Sequence, residues 1–224
     1  MILSLSHNFI FVHVPKTAGS SITNMLLPYA REYQRSIWRS FTRRFPFQEK
    51  PEHAHFRIHA PAREIARKLS RPVYDAFNSF AVVRNPFDHA VSHFEYMKQY
   101  RSKRVSEKFA KMEFEEYLAE RMKKPSLLVP FFARLPDQSY FLISKSGEML
   151  VDTLIKFENL DLEISEFAKR ANLPKLNLQR LNLTTSRSDK RPYQSYFNPT
   201  TEEMVLALYD RDFANLGYSR KISY

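Results

Sequence analysis

Cysteine is absent from the 224 residues, which excludes disulfides, thiolate nucleophiles and cysteine-ligated zinc. Glycine is almost absent: Gly19, Gly147 and Gly217 are the three in the chain, against an average usage of about 7%. A chain this sparing places glycine where no side chain fits. No apolar run approaches the roughly 18–20 residues of a membrane-spanning helix. The longest runs, 9–14 and 127–135, are broken by His13 and by Pro130 and Arg134. The first residues also lack the basic start, apolar stretch and small-residue cleavage site of a secretory signal. These absences lead to the expectation of a cytoplasmic protein, peripheral to a membrane at most, and lumenal only if an N-terminal anchor has been removed.

What is present is positive charge and a core. The formal net charge is +11, a balance that favours an anionic partner: nucleic acid, membrane surface, acidic polysaccharide or a phosphorylated ligand. Hydrophobic residues make up 43% and charged ones 26%, so the chain can close a sizeable core and is not disordered as a whole. No interleaved basic and aromatic pattern of a nucleic-acid binder accompanies the charge, and no nucleic acid is expected.

Strands alternate with helices along the chain. Residues 8–14 are β-branched and aromatic and read as a buried strand; residues 21–33 follow with helical spacing. Tyr29, Tyr33, Ile37, Phe41 and Phe45 then recur every four residues. Arg31, Arg35, Arg39 and Arg43 do the same, offset by two, which places them opposite the apolar stripe of a helix. That face is either solvated surface or a dock for a polyanion. Residues 60–69 read as a helix, 77–83 as a strand, and a further helix starts near Phe87 with Pro86 in its first turn. Helices are expected over 109–123, 159–171 and 200–215, and a strand over 149–157, while 125–136 and 182–199 are irregular. The pattern is that of an α/β fold with a largely parallel sheet.

Two loops carry the chemistry. The first strand delivers Pro15, Lys16, Thr17, Ala18, Gly19, Ser20 and Ser21 to a helix start, an arrangement in which backbone N–H groups, the helix dipole, a lysine and hydroxyls cradle an anion. The lysine precedes the glycine, so the spacing is not that of a nucleoside triphosphatase. The second strand delivers Arg84-Asn85-Pro86, with Ser92 two turns into the next helix; a guanidinium fork and a hydroxyl suit one isolated phosphate. Open α/β sheets bind ligands at these strand ends.

Taken together, FIFVHVPKTAGSSI and FAVVRNPFDHAVSHF resemble the 5′-phosphosulfate loop and the 3′-phosphate motif of the sulfotransferases that use 3′-phosphoadenosine 5′-phosphosulfate (PAPS). The closer likeness is to the branch containing carbohydrate sulfotransferases and their bacterial relatives. HAPAREI, LIKFENL and LYDRDFANLGY continue it in order down nearly the whole chain. Ala18 stands where a glycine is more usual, and Lys156 where an arginine is expected.

The resemblance implies one sulfotransferase domain over 1–224, with a P-loop-like three-layer fold in which helices flank a mostly parallel sheet. It implies transfer of a sulfuryl group from PAPS to a hydroxyl or amine, with no metal. Lys16 would meet charge on the bridging oxygen, the 15–21 loop would hold the 5′-phosphate, and Arg84 and Ser92 the 3′-phosphate. Arg187, with Lys190 and Arg191, is a candidate to close over the nucleotide or engage an acidic acceptor, and Tyr193 and Tyr196 to stack on a ring.

A neutral imidazole suits the general base. His59, at the start of HAPAREI, is the leading candidate and His55 the second, with His53 also in that loop. His13 reads as a core histidine, and His7, His89 and His93 as surface or helix residues. The acceptor expected is a carbohydrate or another hydroxylated molecule, anionic ones included. The alternatives are a sulfotransferase for a small hydroxylated lipid or metabolite, and an inactive nucleotide- or polyanion-binding module of the same fold.

Overall fold

A computed structural model describes residues 1–31, 47–123, 135–173 and 191–222. Four strands are β1 (Ile2–Ser4), β2 (Phe9–Val12), β3 (Asn78–Val83) and β4 (Thr153–Lys156). The helices are α1 (Gly19–Leu26), α2 (Ala62–Leu69), α3 (Arg71–Asp75), α4 (Pro86–Lys98), α5 (Lys103–Ala110), α6 (Phe114–Met122), α7 (Leu160–Arg170), α8 (Pro199–Leu208) and α9 (Asp210–Asn215). The chain divides into two compact units, one from Met1–Val83 with Tyr140–Leu181, the other from Arg84–Ser139 with Asn182–Tyr224.

The first unit holds a sheet in the order β1-β2-β3-β4. β2, β3 and β4 run parallel and β1 is antiparallel to β2, so the α/β class with a mostly parallel sheet flanked by helices stands. Parallel strands are buried on both faces and therefore apolar throughout, and every residue of β2 is buried. Phe9, Phe11, Phe80, Val82 and Ile155 pack with Ile22 and Leu26 of α1 and with Leu160, Ile164 and Phe167 of α7. The Phe80 and Phe167 rings lie 4.0 Å apart. β2 ends at Val12 opposite Ala81, two residues before the parallel β3 ends at Val83.

Local details depart from the sequence reading for definite reasons. β1 is three residues long, too short to show periodicity. β4 starts at Thr153, not 149, because the Asp152 carboxylate accepts from Ser79 N and Ser79 Oγ, both at 2.7 Å, in place of ladder pairing. The first helix ends at Leu26 and passes through a single 3₁₀ turn containing Pro28. Arg31 is not helical. Its guanidinium donates to the carbonyls of Pro51 and Ala54, so it anchors the histidine loop and is not the first member of an arginine face. Arg35, Arg39 and Arg43 lie outside the described residues.

Lys68 secures the same loop. Its side chain is buried, pairs with Glu49 at 2.9 Å and donates to the His55 carbonyl at 3.0 Å. A buried ammonium persists when paired and hydrogen-bonded in this way.

The second unit is helical around Phe87, Val91, Phe94, Phe114, Tyr117, Val205, Tyr209 and Phe213. α4 begins at Pro86 as expected, with the Asn85 side chain accepting from Phe87 N at 3.0 Å. The C-terminal helix is capped earlier than the sequence suggests. Asn198 and Thr201 exchange side-chain and backbone bonds at 2.9 Å, and Pro199 takes the first turn. It also breaks at Tyr209, whose φ and ψ are −118° and 23°. Among the described residues no helix is long and apolar enough to cross a membrane.

Candidate active site

In the first unit the loop after β2 turns on two non-glycine residues in left-handed conformation, Lys16 (φ 67°) and Ala18 (φ 61°). Thr17 sits between them, fully buried, its hydroxyl donating to the Val14 carbonyl at 3.0 Å. That hydroxyl closes the loop on itself. Pro15 is buried, Lys16 and Ser21 half-buried and Ser20 exposed. Ala18 caps α1 without a side-chain bond, and no acidic residue stands in the first turn. The helix therefore presents its N-terminal N–H groups and positive dipole end with no acidic residue of its own first turn to neutralise them.

Left-handed alanine carries a strain of about 1–2 kcal/mol that glycine avoids, partly offset by about 0.4–1 kcal/mol from glycine's looser unfolded chain. Ala18→Gly should therefore raise the melting temperature by roughly 1–3 °C in a calorimetric scan. A lowered melting temperature would show that the loop is not strained at this position.

Gly19 needs no unusual φ; it needs space. A Cβ placed there would lie 2.0 Å from both Cδ2 and Nε2 of His13. The His13 ring is thus pressed against the first turn of α1. It also stacks on Phe11 (centroids 5.7 Å apart, 21° between planes) and meets the His59 ring edge-on at 4.3 Å. His13 is buried as the sequence suggests, and burial, then the neighbouring His59, lowers its pKa to about 2.

His59 Nδ1 lies 3.0 Å from the His13 carbonyl. A carbonyl only accepts, so Nδ1 carries the proton and the lone pair stays on Nε2. Burial lowers the His59 pKa below 6.5, the His13 carbonyl bond opposing it. At neutral pH His59 is a half-buried neutral imidazole of fixed tautomer. His55 donates from Nδ1 to the His53 carbonyl at 2.7 Å, and His53 is exposed. Among the described residues no group of three histidines or carboxylates could hold a metal ion.

In the second unit Arg84, the residue after β3, donates from Nε to Asp88 Oδ2 at 2.7 Å, both side chains 13% exposed. Ser92 is almost buried on α4. Gln138, which the sequence reading does not single out, and Asp212 hold this segment. The Gln138 amide accepts from Arg84 N at 2.8 Å and donates to Arg84 O at 2.7 Å. Asp212, of the LYDRDFANLGY segment, accepts from Gln138 N at 2.9 Å, Gln138 Nε2 at 3.2 Å and Ser139 N at 2.7 Å. Burial, then Asp137, raises Asp212 to about 6, so it is a carboxylate at neutral pH.

His89 and His93 lie on α4, in keeping with the helix reading, and are buried, not at the surface. Their Nδ1 atoms meet the hydroxyls of Tyr209, at 3.2 Å, and of Tyr117. Arg121 donates to Tyr209 at 2.6 Å. Arg191 lies over the Tyr196 ring, 5.0 Å from its centroid. Arg187 and Lys190 fall outside the described residues.

Comparisons with curated proteins and with solved structures give no match. The model of the sulfotransferase family, by contrast, matches residues 1–219. With an uncapped helix start behind a lysine loop on a parallel sheet, and a match over almost the entire chain, the protein belongs to the sulfotransferase family.

Proposed function

We propose that the chain transfers the sulfuryl group of PAPS to a hydroxyl of a carbohydrate acceptor and releases adenosine 3′,5′-bisphosphate. The observation that carries this reading is the 15–19 loop. It is closed on itself, ends in an uncapped helix start, and packs through His13 against a neutral His59 whose Nε2 holds a lone pair. An anionic group fits such a cradle.

His59 Nε2 takes the acceptor hydroxyl proton as the oxygen attacks sulfur. The bond from sulfur to the bridging oxygen breaks, and the electron pair leaves with the 5′-phosphate. Lys16 and the N–H groups of α1 meet the charge that grows on that bridging oxygen. The leaving group is already a stabilised phosphate, so no metal is called for. Arg84, its Nε held by Asp88, and Ser92 bind the 3′-phosphate. A carbohydrate acceptor is supported by the position of His59 upstream of β3, where the resembling carbohydrate enzymes place their catalytic histidine.

Calorimetry tests the nucleotide assignment. Adenosine 3′,5′-bisphosphate should bind more tightly than AMP by roughly one to two decades, and Arg84→Ala should remove most of the difference, as expected for a charge-assisted contact of about 1.5–3 kcal/mol. Equal affinities in the unmodified protein would sink the assignment. Mass spectrometry of PAPS reactions on a panel of oligosaccharides, phenols and hydroxylated lipids identifies the acceptor class. Product on the lipids or phenols alone would replace the carbohydrate reading.

A further inference from the structure

The mechanism proposed above gives the tail segment LYDRDFANLGY no role, yet its Asp212 is fully buried and accepts three N–H bonds. All three come from Gln138 and Ser139, and Gln138, also fully buried, spends the rest of its amide on the backbone of Arg84. Both backbone groups of Arg84 are thereby fixed by a side chain 54 residues away in sequence. A helix start or a strand end is ordinarily satisfied by water or by its own ladder. Here one rigid planar amide takes both the N–H and the C=O of a single residue. Pinning both groups sets the direction in which the Arg84 Cα–Cβ bond leaves the chain. The Nε bond to Asp88 then sets the plane of the guanidinium. A guanidinium fork recognises phosphate through geometry, and a tilt of 10–20° at its base is enough to lose the second contact.

We infer that Gln138, itself held by Asp212, is a positioning residue that aims Arg84 at the 3′-phosphate of the nucleotide. The inference rests on the assignment of Arg84 to that phosphate, and deepens it. Neither Gln138 nor Asp212 touches the ligand; they act through the Arg84 backbone. The consequence is specific. Weakening the clamp should reduce discrimination between nucleotides with and without a 3′-phosphate, while binding through the 5′-phosphate is kept.

The test compares adenosine 3′,5′-bisphosphate and AMP by titration calorimetry on the full chain, with melting curves recorded alongside. The variants are Gln138→Met, Gln138→Asn and Arg84→Ala. Gln138→Met removes all the amide bonds at similar length. It should weaken the bisphosphate by roughly tenfold, the scale of one lost charge-assisted contact, with AMP within about twofold of the unmodified protein. Gln138→Asn keeps an amide but is one methylene too short to hold Arg84 N, Arg84 O and Asp212 together, and should narrow the ratio in the same direction. If Gln138→Met does not fold, Gln138→Asn carries the same criterion. An unchanged affinity ratio in the folded Gln138 variants, with Arg84→Ala abolishing it, would overturn the inference and leave the phosphate assignment standing. Equal loss for both nucleotides would show a merely structural role and overturn it as well. If Arg84→Ala itself leaves the ratio unchanged, it is the phosphate assignment that fails.

Discussion

Replacing His59 with alanine is expected to lower turnover by about 10²–10⁴, the range for loss of a general base, while affinity for adenosine 3′,5′-bisphosphate stays unchanged. The reason lies in the Nδ1–H bond to the His13 carbonyl, which leaves Nε2 as the proton acceptor. The pH profile should carry the same signature. A base must be neutral, and burial holds the His59 pKa below 6.5. Activity should therefore be level from neutral pH upward and fall only at a lower pH than an ordinary imidazole would give, as His59 takes a proton. Stability moves in the same direction. Below 6.5 the unfolded chain binds protons at His13 and His59 that the folded chain refuses, so acid destabilises the fold through this pair. Single-turnover rates with saturating PAPS, measured across pH for the unmodified protein and for His59→Ala, His55→Ala and His53→Ala, check the assignment. Near-normal turnover in His59→Ala with collapse in His55→Ala would transfer the role to His55.

Gly19→Ala should be nearly as damaging for a different reason. The new methyl would stand 2.0 Å from the His13 ring, a distance no packing tolerates, so the ring or the first turn of α1 must move. Overpacking of this kind costs about 1–3 kcal/mol. Because His13 also supports His59 through its ring and carbonyl, turnover should fall by roughly 10² or more, in proportion to the misplacement of a base. A double-mutant cycle separates this collision from obstruction of the ligand. In melting curves without nucleotide, Gly19→Ala with His13→Ala should be more stable than the sum of the single effects by about 1 kcal/mol or more. Strict additivity, or a Gly19→Ala protein that melts and turns over normally, would remove His13 from the account.

The features legible in the sequence are those encoded locally. Phe9–Val12, the 15–21 loop, Pro86 at the start of α4 and the apolar run into Val83 announce themselves by composition and adjacency. The rarity of glycine correctly marks Gly19 as a place without room, although the neighbour that takes the room, His13, is not apparent from spacing. Clamps between distant residues leave no such trace. Asp212 reaches Gln138 across 74 residues and Gln138 reaches Arg84 across 54, and a buried amide or carboxylate has no period to reveal it. The reading of Arg31 shows the opposite hazard. A four-residue spacing suggests a helical face, but the chain leaves helix before Arg31, and the guanidinium turns inward to the carbonyls of Pro51 and Ala54. His89 and His93 read as surface or helix residues; they do lie on a helix, but the tyrosine hydroxyls that meet their Nδ1 atoms in the interior come from α6 and from the junction of α8 and α9, which no local pattern announces.

The inward turn of Arg31 also bears on how the protein should respond to ionic strength. Lys68 is committed to Glu49 and the His55 carbonyl, Arg121 to a tyrosine hydroxyl and the Leu135 carbonyl, Arg84 to Asp88. These cations count in the net charge of +11, but Arg31, Lys68 and Arg121 serve as internal ties and do not shed counterions when an acidic chain docks. The steepness with which salt weakens such docking follows the number of cations that exchange small ions for the polyanion, not the formal total. A polyanionic acceptor should therefore lose affinity with added salt more gently than the composition alone implies.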